Sequence, residues 1–402
     1  MAIAKHHRAG MTTASAECNK VRNNIDDIGV EVEVTSDDVI IANGVSGALE
    51  LALTSLLDDD SILLVPRPGF PLYKVITESH GASVMYYNLL PEHGWECDLV
   101  GLECLLAQHH HHFHDNNVED ECNHDDDDDD SGRRSGSRSK KTIRGILVNN
   151  PSNPTGAVYS FKHLSDIVTL AAKYHIPIIS DEIYGDLTFH SRTFYPLANV
   201  AASLGYEVPI ITASGLGKQY LVPGWRLGWI VYQDNKYGAI SNVKKGAQLL
   251  AQVILGACHL AQFAIPAVLD PKDDYDRIST ATWKAKLHRI IERQAGLLCG
   301  LLNMCHGLQV IFPEGAMYAI VQLDVDAYDD TIVDDMSFMR MLLLEENVVV
   351  LPGSAFGMMG GRSNDNGRDY NYAFRVVFCA PENILLDAAE RISSFCIRHK
   401  RV

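Results

Sequence analysis

The chain has 402 residues, a formal net charge of −17 at pH 7 and a hydrophobic content of 47%, so it can bury a large core and is expected to form one large domain and a smaller one. The acidic balance argues against nucleic acid as a partner, because phosphate contacts require a basic surface. No apolar run reaches the length of a membrane span, and residues 1–8 lack the apolar stretch of a secretory signal, so no membrane partner is expected.

Residues 35–275 are predicted to form the large domain, in which short apolar runs alternate with helix-like stretches. The strand candidates are 39–41, 62–65, 83–87, 146–148, 177–179, 209–211 and 229–231, with helical patterns such as 46–57 and 162–174 between them. This alternation predicts an α/β fold, with a mainly parallel mixed sheet that helices cover on both faces. Ligands bind such sheets at the carboxyl ends of the strands, where the loops converge.

Residues 276–402 are predicted to form a smaller α+β carboxy-terminal domain. A long helical pattern over 278–305 precedes strand candidates at 310–312, 319–321, 348–350 and 374–377. A final helix is predicted over 380–399.

A low-complexity segment at about 108–141 interrupts the large domain. It contains a histidine cluster at 109–114, an aspartate run at 125–130 and a basic end at 133–141. Such a composition cannot bury enough apolar surface to offset its ordering entropy, so we predict a disordered surface insertion. Metal capture by the histidines and a charged docking role are the alternatives that the sequence leaves open.

The nine cysteines are odd in number and scattered, and no two of them form a CxxC pair. This pattern is typical of reduced thiols in the cytoplasm rather than of a disulfide framework. It also argues against a zinc site, so no metal is expected.

Lys218 ends the segment Ser214-Gly215-Leu216-Gly217-Lys218, directly after the apolar run 209–213, and Arg226 lies eight residues further on. A lysine in this position can form a Schiff base with the aldehyde of pyridoxal 5′-phosphate, and the nearby arginine can grip the phosphate. A lysine after a strand is also commonly a solvated surface residue. The segment alone leaves both interpretations open.

Other polar residues follow predicted strands at the same end of the sheet. Residues 43–48 open a helix, so that free N–H groups and the Ser46 hydroxyl can hold a phosphate or form an ordinary N-cap. Asn153 lies in a stiff turn that contains two prolines and can aim its amide at a ligand. Asp181 follows a buried strand, where a carboxylate is costly unless it is paired; a pyridinium nitrogen is one partner, and a helix N-cap is the alternative.

Three more residues are candidates because of their surroundings in the sequence. Tyr184, three residues after Asp181, can donate its hydroxyl to a ring oxygen or can pack in the core. Phe70 is a loop aromatic that can stack on a planar ring or belong to the core. Arg375 is a charge inside an apolar strand, so a substrate carboxylate or an intramolecular ion pair is expected to face it.

Three motifs place these residues in the pattern of one family. They are Asn-Pro-Ser-Asn-Pro-Thr-Gly at 150–156, Ser-Asp-Glu-Ile-Tyr at 180–184 and Gly-Lys-Gln-Tyr-Leu-Val-Pro-Gly-Trp-Arg-Leu-Gly-Trp at 217–229. From about residue 35 to 400, apart from the insertion, the chain resembles the fold-type I pyridoxal-phosphate aminotransferases. Within that family, segments 68–73, 87–96 and 312–318 are most similar to the tyrosine aminotransferases.

The resemblance implies a role for each candidate. Lys218, Asp181 and Tyr184 are the catalytic residues: the lysine carries the cofactor and moves the substrate Cα proton, the aspartate pairs with the pyridine nitrogen, and the tyrosine contacts the ring oxygen. Arg375 and Asn153 bind the substrate. The cofactor-binding residues are Ser46, Gly47, Ala48, Phe70, Asn153, Asp181, Tyr184, Ser214, Lys218 and Arg226.

The resemblance also implies the reaction. It predicts that the amino group of an aromatic L-amino acid, with tyrosine as the expected donor, moves to 2-oxoglutarate in a cytoplasmic homodimer. An alanine or broad-range aminotransferase, a carbon–sulfur lyase of the same fold and an inactive shortened homologue are the alternatives. Residues 1–34 look like a shortened amino-terminal segment, and no tyrosine precedes Tyr73, so we expect one inter-subunit phosphate contact to be missing.

Overall fold

A computed structural model describes residues 1–7, 34–110, 141–189, 192–234, 238–358 and 372–401. Most of the predicted amino-terminal segment and of the predicted insertion therefore lies outside the described residues. A short helix occupies residues 2–7. Among the described residues no helix combines the length and the apolar character that a membrane span needs.

The larger sheet has eight strands within the described residues, and their order across the sheet is β1-β8-β7-β6-β5-β2-β3-β4. They are β1 (Val39–Asn43), β2 (Ser61–Arg67), β3 (Ser83–Leu90), β4 (Glu96–Cys97), β5 (Thr142–Asn149), β6 (Ile178–Asp181), β7 (Ile210–Gly215) and β8 (Leu227–Gln233). The neighbours β7, β6, β5, β2 and β3 run parallel, whereas β1, β8 and β4 are antiparallel to their neighbours. This confirms the predicted mainly parallel, mixed sheet.

Helices cover both faces of this sheet because side chains alternate along its strands. The helices are α1 (Gly44–Leu56), α2 (Leu72–Ser79), α3 (Leu99–His110), α4 (Phe161–Lys173), α5 (Leu197–Ser203), α6 (Leu216–Gln219), α7 (Ser241–Leu250) and α8 (His259–Leu269). On one face Leu63 and Ile179 share a core with α1. On the other face Leu64 and Ile178 share a core with α4.

The carboxy-terminal region contains a separate antiparallel sheet, as predicted, with the order β11-β12-β10-β9. Its elements are α9 (Asp274–Leu302), β9 (Leu308–Ile311), β10 (Tyr318–Leu323), α10 (Asp335–Glu346), β11 (Leu351–Pro352), β12 (Ala373–Val377) and α11 (Glu382–Arg398). The strand predicted at 348–350 was placed too early, since β11 begins at Leu351. Val348 and Val350 are apolar because they pack in the core of this region, not because they pair with a strand.

Gly228 allows β8 to lie directly against the first turn of α1. A Cβ atom on Gly228 would lie 2.4 Å from the Gly44 carbonyl carbon and 2.6 Å from the Val45 nitrogen. The same approach lets the Gly44 N–H donate to the Arg226 carbonyl over 2.8 Å. The position of α1 relative to the sheet therefore depends on a residue without a side chain.

We expect Gly228→Ala to lower the free energy of unfolding by about 1–3 kcal/mol, because the added methyl group meets backbone that cannot move without shifting α1 or β8. Gly224→Ala is the matched control, since a Cβ there meets no atom within 4 Å, and we expect a change below about 0.5 kcal/mol. Urea denaturation of both variants measures the difference. Equal midpoints and slopes for the two variants would contradict the close packing.

Candidate active site

Loops at the carboxyl ends of the central strands, together with residues of the smaller sheet, enclose a cavity of about 290 Å³. Eight of the predicted site residues line it: Ser46, Phe70, Asn153, Asp181, Tyr184, Lys218, Arg226 and Arg375. Three others lie elsewhere. Gly47 and Ala48 are buried within α1, and Ser214 is buried on β7, where its hydroxyl is 3.5 Å from the Glu182 carbonyl oxygen.

Asp181 ends β6 and is 3% exposed. The Tyr73 hydroxyl donates to its Oδ2 over 2.7 Å, and the Ile183 N–H donates to its Oδ1 over 3.2 Å. Burial raises the pKa of Asp181 to about 6, although both hydrogen bonds act in the opposite direction. The sequence analysis gave Tyr73 no role, because its contact with Asp181 spans 108 residues of chain and is set by tertiary structure.

Arg375 lies on β12 with its guanidinium between two aromatic rings. Its Cζ is 4.1 Å from the ring centroid of Tyr318 and 4.7 Å from that of Phe356, and its Nη1 donates to Asn153 Oδ1 over 2.7 Å. Burial lowers the pKa of Arg375, and the buried Nε finds no hydrogen-bond partner among the described residues. Arg375 lines the cavity, so an anionic ligand bound there could accept hydrogen bonds from its guanidinium.

Tyr184 and Lys218 lie between these two charged groups. The Tyr184 hydroxyl oxygen is 2.9 Å from that of Tyr318, and burial raises the pKa of Tyr184 well above its ordinary value, so the phenol stays protonated at neutral pH. Lys218 Nζ is 6.0 Å from the centroid of the Tyr184 ring, and the lysine is only partly exposed. An amine is thus available inside the cavity.

The opposite end of the cavity is built from α1 and Arg226. The N-cap residue Asn43 makes no side-chain capping bond, so N–H groups of the first turn remain available to a ligand. Gly44 has φ +68°, and a Cβ there would lie 2.6 Å from Arg226 Nη2. Arg226 donates to the carbonyl oxygens of Asn43 and Pro223, each over 3.3 Å. An uncapped helix N-terminus beside a guanidinium is suited to a phosphate group.

These parts fit one kind of molecule. A phosphate would occupy the end formed by α1 and Arg226, and a cationic ring nitrogen would neutralise the buried carboxylate of Asp181. An aldehyde carbon would meet the Lys218 amine, and a second, carboxylate-bearing molecule would satisfy Arg375. Gly44 lies within the predicted phosphate-holding segment 43–48 but was given no role of its own, although a glycine at the first position of a helix after a strand is a usable signal.

Comparisons with known proteins agree with this geometry. Residues 14–392 match the family model described as "Aminotransferase class I and II". Tyrosine aminotransferase of Dictyostelium discoideum is 38% identical over 371 residues, which cover 92% of this chain and 76% of that protein. Tyrosine aminotransferase of Bos taurus is 35% identical over 371 residues, which cover 92% and 70% respectively.

The fold itself is also similar to solved structures. The crystal structure of tyrosine aminotransferase from Leishmania infantum superimposes with a TM-score of 0.76 at 28% identity, and the match covers 100% of this chain and 81% of that one.

The raised pKa of Asp181 predicts a pH-dependent loss of stability in the ligand-free protein. The folded-state pKa of about 6 lies above the ordinary value of 3.8, so the folded state binds the proton more tightly and the free energy of unfolding falls as pH rises through this window. The shift in the pKa of Asp181 corresponds to a loss of about 3 kcal/mol in the free energy of unfolding across this pH window. Asp181→Asn removes this dependence, so its stability relative to the wild type should rise by that amount between pH 4 and pH 7.

Urea denaturation at several pH values measures this difference, and Asp186→Asn is the control. Burial of Asp186 is outweighed by its ion pair with Lys284, which holds the pKa of Asp186 below its ordinary value, so its stabilising effect is complete above pH 4. We expect Asp186→Asn to lower stability throughout pH 5–7 and to keep the fall with pH that Asp181 causes. Parallel pH profiles for the wild type and Asp181→Asn would contradict the buried-carboxylate argument.

Proposed function

This chain belongs to the class I and II aminotransferases and is a pyridoxal-phosphate-dependent transaminase, and we propose that it moves the amino group of an aromatic L-amino acid, with tyrosine as the donor, to 2-oxoglutarate. The observation that carries the proposal is the gathering of Lys218, Asp181 and Arg375 around one cavity. The names of the two relatives described above support tyrosine as the donor.

Pyridoxal 5′-phosphate fits the residues of the cavity. When bound, it supplies an aldehyde carbon that takes up the amino group and a ring that withdraws electrons from the substrate. The first turn of α1, with Ser46, and Arg226 would hold the phosphate, Asp181 the ring nitrogen, and Asn153 and Tyr184 the ring oxygen. The ring of Phe70 packs edge-on against that of Tyr73, with 5.7 Å between the two centroids. Phe70 would lie against the ring of the cofactor.

Lys218 is the proton-transfer group of the proposed reaction. Its Nζ would remove the proton from the substrate Cα and would deliver that proton to the former aldehyde carbon of the cofactor. Asp181 remains ionised in the loaded site, because an adjacent positive nitrogen lowers the pKa of the carboxyl that burial had raised. Arg375 holds the α-carboxylate, which is common to the amino acid and the oxo acid, so it serves both halves of the exchange.

Part of the cavity wall suits an aromatic donor side chain. It includes apolar side chains, among them Val45, Leu49, Ile183 and Leu227. An aromatic side chain would be desolvated there without leaving a charge unpaired.

A homodimer is part of the proposal. From α7 to α8, five large apolar side chains are between 65% and 80% exposed: Leu249, Val253, Leu255, Leu260 and Phe263. So many exposed apolar side chains in one apolar stretch of 15 residues are unusual on the surface of a monomer. Helix α7 packs against α1, whose amino terminus lines the cavity, so a second copy of the chain on this stretch would stand close to the site.

The cytoplasmic location and the domain division are also proposed. The cysteines in the described ranges are all free thiols, which suits a reducing compartment. The division at residues 275 and 276 is supported by the two separate sheets.

Addition of pyridoxal phosphate to the purified protein should give a visible absorption band that tyrosine bleaches. With 2-oxoglutarate present, the oxo acid of tyrosine and glutamate should accumulate in equal amounts, and tyrosine should exceed alanine in kcat/KM by about tenfold or more. Lys218→Ala should abolish the band and the transfer. Lys162→Ala, which changes an exposed lysine that pairs with Asp166, is the matched control and should retain both.

Two results would overturn the proposal. Ammonia release without glutamate would identify a lyase instead of a transferase. A folded protein that gives no Lys218-dependent band would contradict the proposed cofactor site.

Val253→Glu combined with Leu260→Glu should convert the dimer to a monomer, because charges on the apolar stretch would be buried unpaired at the interface. Light scattering at several protein concentrations measures the mass. Ile397→Glu changes a similarly exposed residue, 66%, at the carboxy-terminal helix and should leave the dimer intact. A monomeric wild-type protein would contradict this part of the proposal.

A further inference from the structure

Tyr318 contacts two residues of the proposed reaction, and the sequence analysis assigned it no role. Its hydroxyl oxygen is 2.9 Å from that of Tyr184, and its ring centroid is 4.1 Å from Arg375 Cζ. It is 7% exposed and lines the cavity. A single side chain therefore joins the group proposed for the cofactor oxygen to the group proposed for the substrate carboxylate.

The contact between Tyr318 and Arg375 follows from the register of the smaller sheet. In the antiparallel pair of β10 and β12, Tyr318 lies opposite Val377, and Ile320 lies opposite Arg375. Tyr318 and Arg375 are thus diagonal neighbours on one face, where a ring and a long side chain can meet. The arrangement is fixed by backbone pairing.

The guanidinium of Arg375 is held in one plane by this packing. Tyr318 is 4.1 Å and Phe356 is 4.7 Å from its Cζ, each measured to the ring centroid. Nη1 donates one of its two N–H groups to Asn153, and the buried Nε has no hydrogen-bond partner among the described residues, so the guanidinium keeps donors for a ligand. A carboxylate can accept two parallel hydrogen bonds from one edge of a guanidinium.

The hydroxyl contact restricts where the proton of Tyr184 can point. Each phenol has one proton, so within the pair one hydroxyl donates and the other accepts. If Tyr318 donates, Tyr184 keeps its own proton for a further acceptor in the cavity. If Tyr184 donates to Tyr318, it has no proton left for that acceptor.

We propose that Tyr318 is a positioning residue with two separable tasks: its ring fixes the plane of Arg375 for a carboxylate ligand, and its hydroxyl donates to Tyr184 so that Tyr184 can donate to the cofactor oxygen. The proposal rests on the proposed function, which supplies the partners of Arg375 and Tyr184. It adds the residue that orients both of them.

The ring is tested by ligand binding without turnover. The probe is 3-(4-hydroxyphenyl)propionate, a carboxylate that lacks an amino group, titrated by calorimetry into the cofactor-free protein. Tyr318→Phe keeps the ring and should leave the dissociation constant within about twofold, whereas Tyr318→Leu should weaken binding about tenfold through loss of a desolvated cation–π contact. Equal binding by Tyr318→Leu and the wild type would overturn the task of the ring.

The hydroxyl is tested by pH titration of the visible band of the cofactor-loaded enzyme. Without the Tyr318 hydroxyl, Tyr184 donates less strongly to the cofactor oxygen, and that oxygen becomes more basic. The pH at the midpoint of the titration of the visible band should therefore be higher in the Tyr318→Phe variant by about 0.5–1 unit. In a Tyr184→Phe background the same substitution should produce no further shift, because the intermediary is gone. An unchanged midpoint, or an equal shift in both backgrounds, would overturn the task of the hydroxyl.

Tyr328→Phe is the matched control for both measurements. Tyr328 is also fully buried, but its hydroxyl donates to the His306 carbonyl, away from the cavity lining, so its loss should change stability and neither readout. The pH titration requires no amino acid. An enzyme with a different amino-acid preference would therefore contradict the proposed function and still show the effect of the Tyr318 hydroxyl.

Discussion

The site depends on a carboxylate, Asp181, that is buried without a counter-ion among the described residues. Asp181 is held by a phenol and a main-chain N–H, neither of which carries a positive charge, and burial raises its pKa. In a protein selected for stability alone, an apolar residue at the end of β6 would be preferable. The carboxylate is useful only if a positive group arrives beside it, so the instability of the empty site is a source of affinity for the ligand.

The larger sheet makes this burial possible, because its central strands are parallel and covered on both faces. Their carboxyl ends deliver Asp181 and the lysine-bearing turn after β7 to one edge, while Gly228 and Gly44 bring the amino terminus of α1 within reach of Arg226. The smaller sheet completes the cavity from the other side through Tyr318 and Arg375. The two sheets are thus joined at the cavity by side chains that also have tasks in the proposed reaction.

Sequence patterns predicted the strands of the larger sheet well, because strands buried on both faces are short continuous apolar runs with turn residues around them. Eight of the predicted residues line the cavity, and most of them came from motifs in which the polar group and the turn that positions it are adjacent in sequence. Tyr73 and Tyr318 were missed for the opposite reason, since their partners are 108 and 134 residues away and are brought close only by tertiary packing. Ser214 shows the limit of proximity in sequence: it is near Lys218, but its buried hydroxyl is directed at the Glu182 carbonyl oxygen.

The polar residues of the cavity form one connected series instead of independent contacts. Asn153 accepts from Arg375, the Arg375 guanidinium rests on Tyr318, and the Tyr318 hydroxyl meets that of Tyr184. A carboxylate that binds Arg375 changes the charge felt by the Tyr318 ring, and that change reaches the hydroxyl pair through a single side chain. In a region of low dielectric such linked groups polarise one another, so the energies of the separate contacts will not add. A ligand bound at Arg375 can therefore alter the hydrogen bond that Tyr184 offers without any movement of the backbone.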